Sequence, residues 1–250
     1  MVVSMPKLLA TLVLLTLSQA GCNIESTSEG AAAAPEDKST TLITQAKAVH
    51  ASALTIDAHA DIEIPGKPSM YVGADGLSRV SPAKMHAGGL DAVVMSLAVG
   101  PMPRNPKGYA AAKALAQTKL AAVNALANDP VNNAIIVQTT EELQTAQTEG
   151  KAALILGFQN ALILGTNTTG IDELYDSGVR VFALTHMGHN NFADSSRTLF
   201  DGNTGTREPE SEHGGLSVLG RSAISKINVL GGVVDISQLS TQAALQAIDL

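Results

Sequence analysis

The chain has 250 residues, of which 45% are apolar and 3% aromatic, with no tryptophan and a formal net charge of −7. Lysine and arginine form no cluster, so there is neither a basic footprint to neutralise phosphates nor a set of aromatic platforms for stacked bases, and a nucleic-acid partner is excluded. A single cysteine, Cys22, rules out an internal disulfide framework and a cysteine-based zinc cluster.

The first residues read as an export signal. Lys7 supplies a weak positive start, and Leu8 to Leu17 form an apolar stretch too short to span a bilayer. Two processing readings compete. Ser18-Gln19-Ala20 fits a small-x-small site cut after Ala20, whereas Ala20-Gly21-Cys22 resembles a bacterial lipobox with lipid attached to Cys22. Gln19 stands where a lipobox usually has leucine, but Cys22 falls at the one place where a lipobox needs a thiol. The expected organisation is a signal peptide over 1–21, a lipoprotein-type linker and helix start over 22–48, and a folded domain over 49–250. The linker is Ser/Ala/Glu/Pro-rich and aperiodic, as a tether is. The expected location is the bacterial periplasm or outer membrane, with a lipid anchor as the sole membrane attachment.

From about Thr41 the text changes. Residues 41–53 read as a helix, followed by Leu54-Thr55-Ile56 running into Asp57-Ala58-His59-Ala60-Asp61. Strand-like runs follow at Ala92 to Leu97, Ala152 to Gly157, Val179 to Leu184 and Val233 to Ile236. Helical patterns lie between them, at Tyr109 to Ala127, Thr140 to Glu149, Ile171 to Ser177 and Val218 to Leu230, with a last one over Thr241 to Leu250. Apolar strands alternating with helices predict βαβ units and a parallel sheet. Polar residues close each strand: His59 and Asp61, then Gln159 and Asn160, then His186, then Gln238. That placement favours a barrel with its chemistry at the C-terminal strand ends over a doubly wound sheet, for which the first strand lacks a Gly-rich phosphate loop. About five strands are readable where a closed barrel needs eight, so the chain reads as a TIM-like (β/α)8 barrel truncated after about five strands.

His59-x-Asp61 is the sharpest local signal, because alternate strand residues share a side and both can reach one ion. Alone it is a weak pattern that a solvated loop pair also fits. The other blocks change that balance: Ala153 to Asn160, Leu174 to Arg180, Leu184-Thr185-His186, Asn190 to Ser195, Gly215-Leu216-Ser217, and Gly231 to Ser240. In this order and spacing they resemble the membrane (renal) dipeptidase family of zinc metallopeptidases, peptidase family M19, over about Leu54 to Ser240.

The resemblance implies a metal-dependent hydrolase barrel, a zinc centre, a small dipeptide as substrate, and a homodimer when full length. It places His59 and Asp61 on the family's first two metal ligands and His186 on the histidine that contacts substrate. Two positions depart. The family's metal-bridging glutamate is Gln159 here, and a histidine ligand of the second metal is Gln238. A neutral amide lacks the charge and second anionic oxygen that a bridge between dications needs, so one zinc is expected rather than two. The reading is a zinc-dependent dipeptidase with an altered metal site. Its rival is a non-catalytic small-molecule binding protein on a degenerate hydrolase barrel, and hydrolysis of another small amide or lactone is a weaker third. Among the other histidines, His189 is expected to be a solvent-exposed loop residue, and His86 and His213 to be structural or solvated.

Overall fold

The computed structural model describes residues 38–250, and one compact unit runs from Gln45 to Leu250. The expected signal segment, Cys22 and most of the expected linker lie outside the described residues. Among those that are described, no helix is long and apolar enough to cross a membrane.

Helix α1 (Lys38–Ser52) leads to strand β1 (Ile56–Asp61), then α2 (Pro82–Gly88), β2 (Ala92–Ala98), α3 (Pro106–Asn128) and β3 (Ala134–Ile136). Next come α4 (Thr140–Thr148), β4 (Ala152–Gln159), α5 (Gly170–Asp176) and β5 (Val179–Ala183). A two-stranded hairpin, β6 (Phe200–Asp201) with β7 (Thr206–Arg207), precedes α6 (Val218–Leu230), β8 (Val233–Asp235) and α7 (Thr241–Ile248). The main sheet is parallel and curled into a half-barrel in the order β1-β2-β4-β5-β8, with β3 paired to the first residues of β4.

The five strands read from the sequence are all present. The sixth, β3, is three residues long, and β6 and β7 are two each, too short to carry any periodicity. Hydrophobic spacing likewise gives no sign of helix α2, since its seven residues span only two turns. Its boundaries are nevertheless chemical: Pro82 opens it, and Gly89 closes it with φ +67°.

Strands β2 and β4 read as unbroken apolar runs because both faces are covered. Every residue of β2 is buried, and seven of the eight in β4 are. Phe158 and Phe182 meet with ring centroids 5.9 Å apart, and with Leu154, Leu156, Leu184, Ile224 and Ile227 they form the centre of the core. Helix α6 approaches closely at its first turn, where a Cβ on Gly220 would collide with the carbonyl oxygen of Phe192. The register of β1 on β2 slips between Asp57 and Ala60: three steps on β1 match two on β2. One extra residue is thus accommodated beside His59, a bulge that re-aims the end of the strand.

Candidate active site

The C-terminal strand ends converge. His59 and Asp61 stand at the end of β1, Gln159 is the last residue of β4, His186 lies three residues past β5, and Gln238 lies three residues past β8. All five line one cavity of about 320 Å³. The parallel register explains the convergence: Asp61 pairs with Ser96, Ser96 with Gly157, and Gln159 with Ala183, so the strands end at a common level.

Each member has a distinct surrounding. His59 is exposed, and its amide donates to Asp57 Oδ1 at 3.0 Å, which fixes the bulge. Asp61 is half-buried, with Lys119 Nζ of α3 at 3.4 Å from its Oδ1. Gln159 is 3% exposed, and no described residue hydrogen-bonds its side-chain amide. The backbone of His186 is held by Ser195 Oγ, which donates to its carbonyl at 2.6 Å, and Gln238 is held by Thr185 Oγ1 at 2.7 Å. Two side-chain atoms here, His186 Nδ1 and Gln238 Oε1, are buried with no partner among the described residues. A site that leaves such atoms unpaired bears a desolvation cost that a ligand can relieve.

Burial pushes the His186 imidazole below its ordinary pKa. Asp61 opposes that, while Arg197, His59 and Lys119 add to the lowering. The uncharged ring is therefore the resident form at neutral pH.

The profile of the family described as membrane dipeptidase (peptidase family M19) matches residues 43–250. The chain belongs to the membrane dipeptidase family. Dipeptidase aclJ of Aspergillus oryzae is 32% identical over 98 residues, covering 38% of this chain and 21% of that protein. The probable dipeptidase PvdM from Pseudomonas aeruginosa superposes with a TM-score of 0.74 at 28% identity, over 84% of this chain and 53% of that one. A dipeptidase AC described as a metallo peptidase of family M19 superposes with a TM-score of 0.64 at 17% identity, over 78% and 60% respectively, which speaks to the fold alone. The chain thus spans little more than half of these two structures.

Membrane dipeptidase residues of this chain fit only part of a metal centre. Among the described residues, no group of three His, Cys, Asp or Glu side chains stands together as a metal set. His59 and Asp61 offer an imidazole and a carboxylate. At the second position that the resemblance implies, Gln159 and Gln238 offer neutral amide oxygens, and zinc favours imidazole, thiolate and carboxylate over these. The residues present do not fit a zinc pair.

Past β5 the structure corrects one expectation. His189 is buried, not solvated: its Nδ1 accepts the Ser195 amide at 3.0 Å and its Nε2 donates to the Pro209 carbonyl at 2.8 Å. Both ring nitrogens are engaged in holding the loop, so it is a structural residue. His213 Nε2 similarly donates to the Asn190 carbonyl at 2.7 Å, and His86 is exposed on α2.

Other cavity residues were not singled out in the sequence. Asp57, Tyr71, Arg79 and Arg197 line it, and Lys119 reaches Asp61 from a helix. Asp57 had a local signal, as the first carboxylate of Asp-x-His-x-Asp. The others come from loops and a helix surface, where spacing along the chain says nothing about convergence.

Proposed function

We propose that this protein hydrolyses small dipeptides, with His59 and Asp61 providing two donors to a single zinc ion and His186 contacting the substrate. The reading is carried by one observation: in a chain of this family, these three side chains line a single strand-end cavity. When bound, zinc supplies a Lewis acid and a water of lowered pKa. The chain's own residues do the rest. In this reading His186, uncharged and half-buried, hydrogen-bonds the scissile carbonyl oxygen as negative charge develops there. Lys119 steadies Asp61, and the Ser195 and Thr185 hydroxyls fix the backbones of His186 and Gln238. Export and lipid attachment through Cys22 belong to the same proposal and rest on the sequence alone.

Gln159 and Gln238 favour a second reading, a binding protein on a hydrolase scaffold, because both departures fall on the metal site and neither on the core. Elemental analysis of the intact protein, run beside hydrolysis of a dipeptide panel, separates the two. The expected result is about one zinc per chain, with activity abolished by a chelator and by His59→Ala. No bound metal and no turnover with added zinc would establish the binding protein instead.

A further inference from the structure

The cavity carries unspent positive charge. Of its two carboxylates, Asp61 is paired with Lys119, so Asp57, whose Oδ1 accepts the His59 amide, is the one acidic charge left to set against the arginines. Arg79 and Arg197 line the same cavity, and neither guanidinium has a hydrogen-bond or ion-pair partner among the described residues. This stands out in a chain whose net charge is −7.

Both arginines are held by their backbones while their heads stay free. The Arg79 amide donates to the Tyr71 carbonyl at 2.9 Å, at the base of a small turn closed by the Val72–Ser78 bridge. The Arg197 amide donates to Ser195 Oγ at 3.1 Å, and its carbonyl accepts from Gly188 at 2.7 Å. Gln159 lines the same cavity, buried and with no hydrogen-bond partner for its side-chain amide among the described residues, and brings two N–H donors where a glutamate would bring negative charge. Guanidinium groups and amide donors on a fixed frame suit carboxylates, since charge-assisted hydrogen bonds to Arg are the strongest of the ordinary kinds.

We propose that the cavity selects dipeptides with an acidic side chain, whose two carboxylates are read by Arg79 and Arg197, with Gln159 donating to the same ligand. This rests on the dipeptide reading above. A dipeptide with a neutral side chain presents one carboxylate and leaves one guanidinium unmatched, whereas an Asp or Glu side chain supplies the second anion. Asp57 keeps one oxygen for the ligand's ammonium end.

The test measures dissociation constants of non-hydrolysable ketomethylene isosteres of Ala-Glu, Ala-Gln and Ala-Lys on the intact protein by calorimetry. The Ala-Glu isostere is expected to bind at least about tenfold more tightly than the Ala-Gln one at about 0.05 M salt, with the advantage shrinking at about 0.5 M. One of Arg79→Gln and Arg197→Gln, the one at the side-chain carboxylate, should cut that preference to about threefold or less, and the other should weaken both isosteres alike, each the loss of one charge-assisted contact. Both side chains lack partners among the described residues, so these variants are expected to melt as the parent does. Equal binding of Ala-Glu and Ala-Gln isosteres overturns the acidic preference and leaves the dipeptide reading standing. If no isostere binds, the dipeptide reading falls, and the preference with it. A preference that survives both substitutions overturns the assignment to these two arginines.

Discussion

Asp194 shows how one residue organises the loop beside the site. It has 0% exposure, and its carboxylate accepts hydrogen bonds from Ser211 Oγ (2.6 Å) and from the amides of Glu212 (2.9 Å), His213 (3.1 Å) and Gly215 (2.9 Å). Burial pushes its pKa up, but the Ser211 hydroxyl and the three amides outweigh that and bring it down to about 2. The folded value lies below the unfolded one, so the stabilisation is fully present above the ordinary Asp range. It is lost as pH falls from about 4 through about 2. Its size is on the order of 2 kcal/mol. Urea denaturation of the parent should show stability falling across that window, and Asp194→Asn should remove about 2 kcal/mol at neutral pH and flatten the dependence. A mutant with the parent's stability at pH 7 would disprove the role. At this scale the sequence shows strand-end residues well and network residues poorly. His59, Asp61, Gln159, His186 and Gln238 are legible because a strand's end is visible in its apolar run. Asp194 and His189 are not, because their partners sit between 6 and 21 positions away in irregular chain.

Helix α4 is the clearest case of an element written in its own sequence. Thr139 Oγ1 accepts the Glu142 amide at 3.1 Å, and Glu142 Oε2 accepts the Thr139 amide at 3.2 Å, a complete capping box. The predicted span, Thr140 to Glu149, differs from the observed Thr140–Thr148 by one residue at its end. Thr139→Ala should lower stability by about 1 kcal/mol, read as a lower urea midpoint with an unchanged slope; no shift would mean that tertiary contacts alone fix the helix start. Strand β1 behaves differently. Its periodicity places His59 and Asp61 on one side, but the bulge before Ala60 depends on pairing with β2, and pairing is not encoded within β1.

At the scale of the unit from Gln45 to Leu250, the curled sheet sets the behaviour of its edges. Among the described residues β1 and β8 are each paired on one side only, and Ile56 and Val233 on these strands are 46% and 58% exposed. Free strand edges with apolar side chains invite pairing between copies. This 250-residue chain should therefore show concentration-dependent association by sedimentation velocity, and Val233→Lys should reduce it, since a charge on an edge strand opposes edge-to-edge pairing. Association unchanged by that substitution would move the contact away from β8.

The sequence by itself determined the alternation of apolar strands and helices, and with it a parallel sheet with chemistry at one end. Those features follow from local periodicity and from burial on both faces of each strand. It also determined which polar residues close the strands, including the two glutamines. Only the tertiary structure decided that Arg79, Arg197 and Lys119 share the site with them, that His189 is buried, and that β1 is bulged. Charge and hydrogen-bond complementarity between distant loops is a property of their meeting, and it leaves no repeating trace along the chain.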